Sequence, residues 1–247
     1  MNKHMVLREK QIIDLVRCIF LGIGDDIKQA IMSSDLDRST MNSYAILIWD
    51  IIYHNVQKCF ENDPDIIVGY TRRTPWNLIV VYDKQTRNII TLMREERLKQ
   101  IRKDKKGWKH YLTQLVTELN KHLENQQQTF EDYDESYGKQ SVQRICGDLS
   151  ITPEMVDGHS LVLFSSHEYF LNSVRCVRLN RLLEVCEEES WNECIGAEES
   201  VIVDQVDDVT DKHNNPTDGL SLKTKALERK KQHQNIDVKR DSESKEA

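Results

Sequence analysis

The residues best equipped for chemistry are basic. Between Arg94 and His110 stand eight basic residues, Arg94, Arg97, Lys99, Arg102, Lys103, Lys105, Lys106 and Lys109, against three acids, a local charge of +5. The whole chain carries −7. Shortly upstream lie Arg72, Arg73 and Trp76. Arginine forks grip phosphate bidentately, and tryptophan offers a face on which a base stacks. If Asn77–Tyr82 and Asn88–Met93 are antiparallel strands, the end of the second returns to the start of the first. That geometry brings Arg94 and Arg97 beside Arg72, Arg73 and Trp76. The expectation is a grip for RNA or single-stranded DNA made of Arg72, Arg73, Trp76, Arg94, Arg97, Arg102, Lys103, Lys105, Lys106 and Lys109. The same residues would also serve as a solvated helix face, with Glu95 and Glu96 pairing along it and Trp76 in the core.

Other chemistries find less support. His110, His159 and His167 are the histidines placed to act as a base, in the manner of a nuclease, but no second base or acid can be set beside them from sequence. The six cysteines include no C-x-x-C pair and no zinc spacing, so no metal or cofactor is expected and the thiols read as reduced and buried. "GIG" at Gly22–Gly24 follows a helical pattern, not a strand, and is no dinucleotide loop. No phosphate-binding loop is present. Asp65 lacks the Glu-x-Lys that a two-metal nuclease would need downstream. "EEES" at Glu187–Ser190 charges the start of a short closing helix.

These residues need elements to hold them. Apolar residues at helical spacing predict a helix over 6–23, a short one over Asp25–Met32, and a broad-faced one over Tyr44–Phe60. The period then changes to two. "DIIVGY", "NLIVVY" and "NIITLM" predict a three-stranded meander. Helices return as "REERLKQIRKD" and "WKHYLTQLVTELNKHL", then a polar, flexible "ENQQQTFEDYDESYGKQ" and a short helix over Val142–Leu149. A second strand group follows, "SLVLF", "SVRCVRL" and "LLEVCE", with Asn180-Arg181 as a tight hairpin connection. Each group is too small to stand alone, so one shared sheet is expected.

The fold class is therefore α+β, with N-terminal helices (1–62) packed on an antiparallel sheet built from two strand groups separated by helices (63–195). From 196 to 247 the chain is acidic and then of mixed charge. It has too few apolar residues to offset its ordering entropy, which predicts a disordered tail. The N-terminus lacks the pattern of a signal peptide, and the longest apolar run is about half a membrane span. A cytoplasmic protein without membrane contact is expected.

Two stretches, "RTPWNLIVVYDKQTRNIITLMREERLKQI…HYLTQLVTELN" and "SVRCVRLNRLLEVCEEESWNECI", resemble an uncharacterised domain family of Firmicutes found on prophages and other mobile elements. That resemblance implies a bacterial accessory protein and transfers no activity. Besides nucleic-acid binding, two functions stay open: a protein-interaction module acting through the acidic C-terminal region, and a nuclease-type mobile-element toxin.

Overall fold

The structure is a computed structural model. It describes residues 4–34, 38–73, 76–104, 106–123 and 135–196. Residues 1–198 form one compact unit. The expected tail, the polar stretch 124–134 and Lys105 lie outside the described residues.

Three helices open the chain, α1 (Glu9–Ile23), α2 (Asp25–Ser34) and α3 (Tyr44–Phe60). The α1 stripe of Ile12, Leu15, Val16, Ile19 and Ile23 is buried. So is the α3 stripe of Ile48, Ile52, Val56 and Phe60, spaced by four. The two helices meet at Gly22, where a Cβ would lie 2.6 Å from Ile52 Cγ1 and 3.2 Å from Ile52 Cα. Only glycine lets the backbones come that close.

Six strands follow in two groups. The first is β1 (Ile66–Arg73), β2 (Trp76–Asp83) and β3 (Asn88–Arg94); the second is β4 (Gly158–His167), β5 (Phe170–Leu179) and β6 (Val185–Ser190). They form one sheet in chain order. Within each group the strands are antiparallel, and the seam between β3 and β4 is parallel, with Asn88 opposite Gly158 and Arg94 opposite Phe164. A parallel seam needs a long return connection. Residues 95–157 supply it with α4 (Glu95–Lys103), α5 (Tyr111–Leu119) and α6 (Glu135–Asp148).

The sheet is buried on both faces, which is why its strands read as near-continuous apolar runs. Ile79, Val81, Ile90, Leu92, Val162, Phe164, Val174 and Cys176 face α1 and α3. Leu78, Val80, Ile89, Met93, Leu161, Leu163, Val177 and Leu179 face the helices of the connection. The architecture is α+β, helices over a six-stranded, mostly antiparallel sheet.

Four details differ from the sequence reading. The helix expected from Trp108 is broken: Gly107–Lys109 is a 3-10 turn and α5 ends at Leu119, where Asn120 turns inward. Its buried amide donates to the carbonyls of His159 and Leu179, and its oxygen accepts from the His159 N–H. The final helix begins at Glu135, well before Val142. The β5–β6 connection spans residues 180–184, because the Asn180 side chain accepts from the N–H groups of Leu182 and Glu184. Glu187–Ser190 belongs to strand β6 instead of a helix start, since Glu187 and Glu188 pair with Arg178 and Arg175 on β5 at 2.8 Å each.

Candidate nucleic-acid interface

The hydrogen-bonded register of β2 and β3 covers only Val81–Asp83 against Asn88–Ile90. Strand β1 by contrast follows β2 over its whole length, from Ile66–Asp83 to Arg73–Trp76. The sheet therefore opens between β2 and β3 towards the Trp76 end. Continued past Val81, the register sets Asn77 level with Arg94 without ladder bonds between them. Tyr53 of α3 packs over the first strands of the sheet, its ring 6.4 Å from that of Tyr70 on β1. Burial, with Tyr111 and Asp50 as neighbours, pushes the Tyr53 phenol well above its usual range.

Arg94 ends β3 and precedes the first turn of α4. Its Nε is buried without a hydrogen-bond partner. Neighbouring Glu95 does not serve it. Both Glu95 oxygens accept from Arg175, Nε at 2.6 Å and Nη2 at 3.0 Å, an ion pair that ties α4 to β5. That bidentate pair, with Glu188 behind it, holds Arg175 more firmly protonated than usual.

Alternation along the strands places Arg94 and Arg72 on the face covered by α1 and α3, and Trp76 on the other. Trp76 is 55% exposed, so the core position that a solvated-face reading assigns it is not where it sits. Arg72 is exposed opposite Asn77, and Arg73 pairs with Trp76 through the backbone. Arg97 is exposed on α4, its Nη1 donating to Gln100 at 3.2 Å. The structure thus sets Arg72, Arg73, Trp76 and Arg94 at one sheet end, divided over its two faces.

The rest of the basic stretch goes elsewhere. Arg102 donates through Nε (2.8 Å) and Nη2 to the Leu183 carbonyl in the β5–β6 connection, at the opposite end of the sheet. Lys103 follows it and is exposed. Lys106 and Lys109 are exposed around the 3-10 turn.

The gap has a neighbourhood that sequence reasoning missed. Arg38 lies over the rings of Tyr44 and Tyr169 at 4.7 and 4.6 Å, and Lys28 sits 5.3 Å from Tyr169. Trp49 packs on Tyr53 and Phe164 at 5.5 and 5.4 Å. The Tyr44 hydroxyl is buried without a hydrogen-bond partner, and burial raises its pKa while Arg38 and Arg94 oppose the rise. The one signal in the sequence was the four-residue spacing of Trp49 and Tyr53 on α3.

The histidines play other parts. His159 is fully buried, hydrogen-bonded to Thr91 Oγ1 at 2.9 Å, and pushed down to about 3 by burial. His110 caps α5, its Nδ1 accepting from the Leu112 N–H at 3.2 Å. His167 is exposed at the end of β4. Among the described residues no group of three His, Cys, Asp or Glu could hold a metal ion. No described helix is long and apolar enough to cross a membrane.

An α+β chain with helices on both sheet faces and a cation–aromatic rim is the class that fold and site define. Residues 2–240 match the model of a family of unknown function, DUF5986, and the chain belongs to that family. No curated protein and no solved structure matches it.

Proposed function

We propose that the chain binds RNA or single-stranded DNA at the rim where β2 and β3 part. The observation that carries this reading is an exposed indole on the same sheet end as Arg94, whose Nε is buried without a hydrogen-bond partner while Glu95 is held by Arg175. Phosphates would lie against Arg72 and Arg94, with Arg97 on the α4 side, and a base would stack on Trp76. Arg102 falls outside this footprint, being engaged by Leu183. The setting proposed with it is the cytoplasm of a bacterium, on a prophage or other mobile element, as the resemblance implies.

The test is fluorescence anisotropy of a labelled single-stranded RNA across a salt series. Affinity should fall steeply with salt. Arg72→Gln with Arg94→Gln should make the log–log slope shallower by about 0.7 for each phosphate that is no longer neutralised. Trp76→Ala should cost about 1–3 kcal/mol of binding, and Lys103→Gln little. Salt-independent binding, or an equal weakening in all variants, would remove the rim as the site.

A further inference from the structure

We propose that Arg38, Tyr44 and Arg94 bind a phosphomonoester, the terminal group of a nucleic acid or of a free nucleotide, on the helix-covered face beside the rim. Several elements build this cluster. Tyr44 opens α3, one turn before Ile48 on the same stripe. Tyr169 stands in the turn between β4 and β5. Arg38, in the 3-10 turn Arg38–Thr40, lies over both rings, 4.7 Å from Tyr44 and 4.6 Å from Tyr169. Arg94 ends β3 opposite Phe164, on the same sheet face, and Trp49 of α3 packs edge-on against Phe164 at 5.4 Å. The start of α3 therefore lies over the end of β3.

Two polar atoms here are buried without a hydrogen-bond partner, the Tyr44 hydroxyl and Arg94 Nε. Both can donate. Burial raises the Tyr44 phenol although Arg38 and Arg94 oppose the rise, so at neutral pH it keeps its proton. A buried donor without an acceptor is costly, and an anion with several oxygens would satisfy both. Arg38 adds a second guanidinium. With its flat face on aromatic rings, its N–H groups donate in the plane, as the fork that phosphate oxygens accept. Nearby acids are already engaged: Glu95 by Arg175, Asp25 by Lys28 at 3.1 Å and Asp26 by Asn55 Nδ2 at 2.7 Å. A phosphomonoester suits this cluster better than a diester. It carries more charge, about −1.5 to −2 at pH 7, and more terminal oxygens. A phosphate with a nucleoside on either side is too bulky to reach atoms so enclosed. A terminal group can reach them when the exposed Arg38 side chain turns on its stem to meet it.

The nucleic-acid source depends on the rim binding nucleic acid and the free-nucleotide source does not, so the experiment has two arms. In the first, one single-stranded RNA labelled at its 3′ end carries either a 5′-phosphate or a 5′-hydroxyl. The phosphorylated form should bind the full chain about tenfold or more tightly. Arg38→Gln and Tyr44→Phe should each abolish that preference and leave binding of the 5′-hydroxyl form unchanged. In the second arm, AMP in excess should raise the melting midpoint by about 2 °C or more, and adenosine should not. Tyr44→Phe should lose that rise. This variant keeps the ring beneath Arg38 and removes only an unpartnered hydroxyl, so without ligand it should melt no lower than the parent chain. A lower midpoint would mean that the hydroxyl already has a protein partner, and would overturn its part in the site. A response in either arm that the variants lose supports the site. Equal affinity for the two RNA ends with no response to AMP would overturn it, as would a preference that both variants retain. If the two RNA forms bind alike with steep salt dependence and AMP has no effect, the rim stands and this site falls. If neither RNA binds and AMP still stabilises, the rim falls and this site stands.

Discussion

Burial moves the His159 imidazole from an ordinary pKa of 6.5 down to about 3, and this has a measurable consequence. Below pH 6.5 the unfolded chain takes up a proton that the folded chain refuses until about pH 3. Stability therefore falls as pH drops through that window, by about 2 kcal/mol between pH 7 and pH 5. His159→Leu should abolish that part of the slope in urea denaturation at the two pH values. It should also cost about 1–3 kcal/mol at pH 7, because Thr91 is left without its partner inside the core. None of this was legible in the sequence. A histidine before an apolar strand looks the same whether its partner is water or a threonine 68 residues earlier. Arg94 was legible as a cation. Its unpartnered Nε was not, since that depends on Glu95 turning to Arg175 across the sheet.

Elements declare themselves through spacing, and their contacts do not. The β-branched runs, the α3 stripe and the amphipathic α5 were readable because their periods differ. The parallel seam was not, because nothing local distinguishes a strand that pairs with its own hairpin from one that also pairs across the long connection of residues 95–157. Two glycines make the same point. Gly22 lies at the α1–α3 crossing, where a Cβ meets Ile52, whereas a Cβ on Gly147 of α6 meets nothing within 4 Å. Gly22→Ala should force the helices apart and cost about 1–3 kcal/mol. Gly147→Ala should stabilise by about 0.5–1 kcal/mol, since alanine loses less backbone entropy in a helix. Thermal melts of the two variants beside the parent chain check both signs. If Gly22→Ala melts with the parent, the close crossing is not a constraint on the fold.

Charge acts at the scale of the whole molecule. The chain carries −7, so a polyanion approaching the rim meets a repulsive field before it meets Arg72 or Arg94. Part of the acidic run from Glu187 is already neutralised within the sheet, Glu187 by Arg178 and Glu188 by Arg175. Residues 199–247 hold eleven acids against nine bases, so a chain ending at Glu198 carries −5. Every residue of both apolar cores lies before that point. The shortened chain should therefore melt within about 2 °C of the full one, since a deficit of one kcal/mol would move the midpoint by about 2–4 °C in a domain of this size. It should also bind single-stranded RNA about twofold or more tightly at low salt, and the advantage should vanish at high salt as the Debye length shrinks. A gain that survives high salt would mean that something other than net charge is at work. No change at low salt would mean that the rim's local field alone governs approach, and weaker binding would place part of the RNA footprint beyond Glu198.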